Sequence, residues 1–347
     1  MSPLTQARIA AVEPEFVDIP KTQIKVSRVA LGTWAMGGWM WGGTDQRESV
    51  DTIHAALHQG MNLIDTAPAY GFGVSEEIVG AALKGMRSQA VIATKVGLEW
   101  RDGKVYRNAT RARIKQEVED SLRRLDTDYI DIYQLHWPDP LVPVEESAEA
   151  MRSLYEQGKI RAIGVSNFSV AQLERFRRVA PLHVLQSPYN LFERDIEAQI
   201  LPYCRAHDIA TFGYGALCRG LLSGRMRSDT RFDGDDLRRI DPKFQPPRFA
   251  QYLDAVHRLE QLAQRRFRRR VIHLAVRWML DQGISVALWG GRHPDQVEAV
   301  PGVAGWSLND TDRQRIDRIV STAITDPVGP EFMAPPQRVQ LPSSAPR

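Results

Sequence analysis

Four side chains able to move protons stand at or just beyond the ends of short apolar runs. They are Asp65 and Tyr70 in NLIDTAPAY (residues 62–70), Lys95 after IAT, and His136 after DIYQL. A tyrosine holds its proton to a pKa of about 10, too high for easy donation at neutral pH, but a nearby ammonium favours the phenolate and lowers that value. Lys95 can supply the ammonium, and Asp65 can keep it charged by pairing with it. His136 can then hydrogen-bond a substrate oxygen and orient it. Such a set transfers protons to or from oxygen. Taken singly, the same residues have plainer readings. Asp65 and Tyr70 suit a strand-to-helix turn with an Asp cap and a packed ring, Lys95 suits the Schiff-base lysine of an aldolase barrel, and His136 suits a packed histidine.

The four can meet only if the elements that carry them end on one side of the molecule. Apolar runs and amphipathic stretches alternate along the chain. The strands expected are Val29–Trp34, Asn62–Ile64, Ala90–Thr94, Tyr129–Leu135, Ile160–Val165, Val184–Gln186, Ile209–Tyr214 and Ser285–Leu288. Between and after them, helical spacing appears over Asp45–Gln59, Ser75 to about Lys84, Thr110–Leu125, Val144–Gln157, Ser169–Val179, Arg194–His207, Ala250–Arg266, His273–Gln282, Pro294–Val300 and Asp310–Thr322. Ser75-Glu76-Glu77 reads as a helix N-cap followed by early acidic residues. Eight strands, nearly all followed by a helix, predict an α/β fold, a closed (β/α)8 TIM barrel, with an open doubly wound sheet as the alternative. In a barrel the strand ends share one face, so residues far apart in sequence converge there. An N-terminal β-hairpin is expected from Phe16–Ile19 and Gln23–Val26 around Pro20-Lys21-Thr22. A long loop at 218–248 after the seventh strand and a Pro-rich C-terminal tail from 326 interrupt the rhythm. A loop of that length is expected to cover a site.

Composition is that of an ordinary globular protein, 43% hydrophobic and 25% charged over 347 residues. A net charge of +3 is too slight to imply nucleic acid but suits an anionic cofactor. Cys204 and Cys218 give neither a disulfide framework nor a zinc spacing, and no His/Asp/Glu cluster has metal-ligand spacing, so no metal is expected. Without a secretory leader pattern or a run of about 20 apolar residues, a cytoplasmic protein without membrane attachment is expected. RRFRRR at 265–270 reads as a solvated helix end. Trp34, Trp39, Trp41, Trp100 and Trp137 follow strand ends, and Trp34 and Trp137 are the candidates for the substrate pocket. No dedicated partner segment and no signal of oligomeric state is present.

With these residues in view the chain resembles the aldo-keto reductase superfamily, whose members are (α/β)8 barrels with an Asp, Tyr, Lys, His tetrad. The matching segments are LIDTAPAYG at 63–71 with SEE at 75, IATK at 92–95, DIYQLHWP at 131–138, IRAIGVSNFS at 160–169, SPYNLFER at 187–194, YGALCRGLLSG at 214–224 and GRHPDQVEAV at 291–300. GTWAMGGWMWGG at 32–43, together with the long loop, looks like the bacterial branch containing NADP-dependent glycerol and other polyol dehydrogenases. The resemblance implies one barrel domain over 1–347, with a core of about 26–322, a loose arm at 1–14 and a tail at 326–347. It implies that Tyr70 is the acid in reduction and the base in oxidation, with Lys95 and Asp65 tuning it and His136 guiding a small carbonyl or polyol substrate. Ser166, Asn167 and Gln186 match carboxamide-binding positions, and Tyr214 matches the aromatic that stacks on a nicotinamide. Gly215, Leu217, Gly220, Leu222, Gly224 and Arg225 match the pyrophosphate loop, and Gly32, Thr33, Trp34 and Gly290 match further cofactor positions. Arg292 and Gln296 fall where the family grips a 2′-phosphate, which favours NADP(H), with NAD(H) as the alternative. Ala299-Val300 replaces the family's usual Glu-Asn, which puts the adenine contacts in doubt. Some members are cofactor-binding regulatory subunits with little turnover, the second function class.

Overall fold

The alternating apolar runs become eight parallel strands that close on themselves in chain order. In the computed structural model, which describes residues 13–338, these are β1 (Val29–Gly32), β2 (Leu63–Asp65), β3 (Val91–Val96), β4 (Ile130–Leu135), β5 (Ile160–Ser166), β6 (Val184–Pro188), β7 (Ala210–Tyr214) and β8 (Val286–Gly290). Ala287 to Gly290 of β8 pair back onto Val29 to Gly32 of β1, which closes the barrel. Around it lie α1 (Gln46–His58), α2 (Val74–Ala82), α3 (Arg111–Arg124), α4 (Val144–Glu156), α5 (Val170–Arg177) and α6 (Ile200–Ala206). Both α7 (Arg248–Phe267) and α8 (Val271–Asp281) fall between β7 and β8, and α9 (Asp310–Ala323) follows β8. Several helix starts are marked by caps that the sequence advertises. The side chains of Asp45 and Thr110 accept from Glu48 and Arg113 backbone N–H groups, and Ser169 with Gln172 forms a capping box.

Side chains on a strand alternate between faces. Outward residues such as Leu31, Ile64, Ile92, Ile163 and Leu185 pack under the helices. Inward residues Ala30, Leu63, Ala93, Ile132, Ala162, Val184, Phe212 and Leu288 fill the barrel with Ile19, Ile24 and Val26. The last three belong to the expected hairpin, where Phe16–Asp18 pairs with Lys25–Ser27. Below the active face the barrel is therefore a packed core. No helix among the described residues is long and apolar enough to cross a membrane.

The structure differs from the expectations in several places. Helix α2 starts at Val74 after Gly73, which has φ 106°, and Ser75 is not its cap. The Ser75 hydroxyl turns inward to Thr33 Oγ1 (2.7 Å) and Thr66 Oγ1 (2.9 Å), and ties the first two strand ends together. The stretch after β3, where no element was expected, is a β-hairpin of Leu98–Arg101 with Lys104–Arg107. Asp102 and Gly103 have φ 51° and 71°, the Asp-Gly turn that matches strand twist. The 194–207 helix shrinks to a 3₁₀ turn at Asp195–Glu197 followed by α6, and 294–300 gives 3₁₀ turns at Pro294–Gln296 and Val300–Val303. Prolines at 294 and 301 break any longer helix. The long loop carries 3₁₀ turns at Cys218–Ser223, Leu237–Arg239 and Pro242–Phe244. Most of the expected arm and the end of the tail lie outside the described residues. Up to Arg338 the tail crosses the barrel mouth, where Arg107 N–H donates to the Pro336 carbonyl (3.0 Å).

Candidate active site

Counting two residues along each inward row from the packed layer reaches the polar floor of the barrel mouth. Leu63 leads to Asp65, Ala93 to Lys95, Ile132 to Gln134, Val184 to Gln186 and Phe212 to Tyr214. Lys95 and Asp65 are buried and paired, with Nζ 2.6 Å from Asp65 Oδ2. Lys95 Nζ also donates to the Thr66 carbonyl (2.9 Å) and to the Tyr70 hydroxyl (3.2 Å), so its three donors are engaged. Asp65 Oδ1 accepts from Gln186 Nε2 (2.8 Å) and Gln134 Nε2 (3.3 Å). The His136 ring meets the Tyr70 ring edge-on with centroids 5.7 Å apart. The four residues singled out in the sequence thus form one contiguous group.

Electrostatics correct one expectation. Burial, and then the Asp65 carboxylate, push the Tyr70 phenol pKa well above its ordinary value. The Lys95 ammonium does not reverse that net shift, and Asp65 pairs with the same nitrogen. What Lys95 gives Tyr70 is a donated hydrogen bond. Burial also lowers the Lys95 pKa, and Asp65 opposes that shift. His136 is driven well below 6.5 by burial and then by Lys95, so at neutral pH its imidazole is uncharged and donates through one nitrogen only.

Tyr70 is placed by a backbone contact. The turn Trp34–Gly37 after β1 presses on the Tyr70–Gly71 peptide so closely that a Cβ on Gly71 would lie 2.0 Å from the Gly37 carbonyl oxygen. Only two glycines allow this approach. Trp34 follows into place, its ring stacked on that of Tyr70 with centroids 6.0 Å apart.

Above the floor runs a cleft of about 1240 Å³, lined by Asp65, Tyr70, His136, Trp34 and Trp137 and also by Arg225, Arg270, Arg292 and Gln296. Gly32, Thr33, Ser166, Asn167, Gln186, Tyr214, Gly215, Leu217, Gly220 and Gly290 also line it. Lys95 lies beneath Tyr70. Leu222 and Gly224 do not reach the cleft wall, since Leu222 is buried in the core and Gly224 ends a 3₁₀ turn against Val271. Asn167, at φ 64°, donates to the His136 carbonyl (3.0 Å) and accepts from the Tyr214 hydroxyl (2.9 Å), which links three strand ends.

A profile of the Aldo/keto reductase family matches residues 28–321, the whole barrel. The chain belongs to the aldo/keto reductase family. It is 59% identical over 330 residues to aldo-keto reductase YhdN of Bacillus subtilis, covering 94% of this chain and all of that protein. It is 35% identical to an NADH-specific methylglyoxal reductase of Escherichia coli, covering 85% of this chain and 95% of the relative. Among solved structures, the glycerol dehydrogenase AKR11B4 from Gluconobacter oxydans superposes with a TM-score of 0.84 at 54% identity, over 92% and 99% of the two chains. An aldo/keto reductase from Klebsiella pneumoniae in complex with NADP and acetate gives 0.67 at 29% identity, over 86% and 93%.

Sequence reasoning passed over several residues of this aldo/keto reductase. Gln134 was legible, two positions before His136 on the same strand. Arg270, within the arginine run read as a solvated helix end, lines the cleft because Arg268 takes the left-handed C-cap of α7 at φ 55°. A buried charge group was not legible. Arg219 pairs with Glu193 (2.6 Å) and Asp241, and Lys243 pairs with Glu193 (2.8 Å). Lys243 also donates to the Gly329 carbonyl (3.1 Å), which ties the tail to the loops after β6 and β7. No period or motif connects these positions.

Proposed function

We propose that this aldo/keto reductase is an NADP(H)-dependent oxidoreductase acting between a small aldehyde or ketone and the corresponding alcohol or polyol, with Tyr70 as general acid and base. The observation that carries the reading is the Asp65–Lys95–Tyr70 chain at the cleft floor, with uncharged His136 beside it. When bound, a nicotinamide supplies or accepts the hydride at the substrate carbon. In reduction Tyr70 donates its proton to the substrate oxygen. The Lys95 N–H then meets a phenolate instead of a phenol, and a charge-assisted hydrogen bond strengthens as the proton leaves. Asp65 holds Lys95 charged and in place, while His136 donates to the substrate oxygen and sets its orientation. In oxidation the same phenolate takes the proton back.

The residues present fit such a cofactor. The cleft exceeds the usual small-ligand range of about 300–1,000 Å³, as a dinucleotide beside a substrate requires. Ser166, Asn167 and Gln186 offer polar groups in its wall, Tyr214 an aromatic face, and Gly215 and Gly220 a backbone that ligand can approach. Arg292 and Gln296 suit a 2′-phosphate, and the solved Klebsiella relative carries NADP. The NADH-specific relative makes the 2′-phosphate preference the part to measure. The glycerol dehydrogenase neighbour supports alcohols and polyols as the oxidised substrates.

Tyr70→Phe keeps the ring stacked on Trp34 and removes the proton. It is expected to lower kcat for aldehyde reduction about 10²–10⁴-fold without weakening NADPH binding, in an assay that also compares NADPH with NADH. A variant that turned over at the wild-type rate would remove the general-acid reading.

A further inference from the structure

Arg292, which lines the cleft just after β8, is already in use. Its Nη1 donates to the carbonyls of Trp41 (2.7 Å) and Gly43 (3.3 Å). Both belong to the glycine-rich loop after β1 that walls the catalytic end. The Trp41 ring meets the Trp34 ring edge-on with centroids 5.4 Å apart, and Trp34 stacks on Tyr70. The same loop is held from the insertion after β7. Asp235 accepts from the backbone N–H groups of Met40 (2.7 Å) and Gly42 (3.1 Å), and Leu237 N–H donates to the Met40 carbonyl (3.0 Å). Gly42 and Gly43 are exposed and bring no side chain to anchor the loop, so its position depends on these tethers.

A guanidinium has five N–H groups, of which Nη1 carries two. Nε and Nη2 of Arg292 make no hydrogen bond among the described residues, and together they form the edge that matches a phosphate. The Trp41 indole N–H is buried without a hydrogen-bond partner among those residues. An orphaned buried donor is unfavourable, so a small loop movement that brings it to an acceptor oxygen is favoured.

We propose that Arg292 is a positioning residue that couples cofactor binding to the tryptophan loop beside Tyr70. Its Nε–Nη2 edge takes the cofactor 2′-phosphate while Nη1 keeps the Trp41 and Gly43 carbonyls, so a 2′-phosphorylated cofactor orders the tryptophan loop over the substrate and one without that group does not. This rests on the NADP(H) reading above. Linkage makes the effect reciprocal, with substrate and the 2′-phosphate each raising the affinity of the other by the same factor.

The test uses 2′,5′-ADP, which carries the 2′-phosphate without a nicotinamide, against 5′-AMP, which lacks it. Binding is measured by calorimetry, and amide hydrogen exchange is followed over residues 38–43 at saturating ligand. In the wild-type chain 2′,5′-ADP is expected to bind about tenfold tighter and to slow loop exchange about tenfold, with 5′-AMP leaving the loop as in the free protein. Arg292→Ala is expected to abolish both differences. Asp235→Ala, which cuts the opposite tether, is expected to keep the tighter binding of 2′,5′-ADP but to speed loop exchange with either ligand. Equal loop exchange with the two ligands, with the affinity difference intact, overturns the coupling and leaves the NADP(H) reading standing. So does an exchange difference that persists in Arg292→Ala. Equal affinity for the two ligands in the wild-type chain overturns both.

Discussion

Replacing Gly37 with alanine adds a single methyl group where Tyr70 is positioned. The new Cβ would lie 2.5 Å from the Tyr70 carbonyl carbon, 2.6 Å from its oxygen and 2.7 Å from the Gly71 nitrogen. Favourable heavy-atom separations are about 3.5–4.0 Å, so relief requires a movement of about 1 Å. All three atoms are backbone, and no rotamer change can supply it. Gly37 is not among the residues with positive φ, so alanine meets no conformational penalty of its own and the effect is steric. The Tyr70 hydroxyl is 3.2 Å from Lys95 Nζ, and a further 1 Å takes it out of hydrogen-bond range. A misplacement of about 1 Å costs roughly 10²-fold in rate, and overpacking a dense site costs about 1–3 kcal/mol. Steady-state kinetics of aldehyde reduction with NADPH should therefore show kcat falling about 10²-fold, while 2′,5′-ADP affinity is retained and the urea midpoint drops modestly. A folded variant with kcat within about threefold of wild type, in that same assay, would refute the claim that this glycine contact sets the reacting geometry.

Two other changes probe the charges. Asp65→Asn leaves the buried Lys95 ammonium without its counter-charge, and breaking a buried pair this way costs about 3–5 kcal/mol. Urea unfolding at pH 7 should register that loss alongside a drop in kcat, and an unchanged midpoint would mean that the pair is not held charged. Because the His136 pKa is lowered in the fold, the unfolded chain binds more protons at this site as pH falls below about 6.5. The contribution of His136 to stability is thus full above that pH and lost as pH drops towards the folded value. Melts at pH 7.5 and 5.5 should show a larger acid loss in wild type than in His136→Gln, and equal losses would contradict a neutral imidazole.

What could be read from the sequence depended on whether a local period carried it. Asp65, Lys95 and His136 were legible because strand ends follow apolar runs of period two, and closure of the barrel turns that local pattern into a shared face. Gln134 obeys the same arithmetic and was available to it. The Asp102-Gly103 turn carried a hairpin signal in plain sight. Ser75 misled because a serine before two glutamates resembles a cap, whereas Gly73 reaches the left-handed conformation and caps the helix two residues earlier. The Arg219, Glu193, Asp241 and Lys243 group had no such signal, since its members meet only once the loops after β6 and β7 and the tail have folded. Arg292 drew attention through the family resemblance, but its hold on Trp41 and Gly43 joins loops about 250 residues apart and is a property of the closed barrel alone.

The charge arrangement decides how Lys95 can act. An isolated ammonium 3.2 Å from a phenol would lower its pKa, and Tyr70 would then sit partly ionised, with no proton to give in that fraction of the molecules. With Asp65 at 2.6 Å from the same nitrogen the pair is close to neutral, and burial keeps the Tyr70 phenol protonated. In the proposed reduction Lys95 contributes mainly after the proton moves, when its N–H faces a full negative charge in a buried site, where such a bond is strongest. Asp65 therefore has two effects of opposite sign. It keeps Lys95 charged and aimed, and it makes the resting phenol a poorer acid. Gln186 and Gln134 donate to the Asp65 oxygen that Lys95 does not use, which draws carboxylate charge away from Tyr70 and moderates the second effect without touching the first.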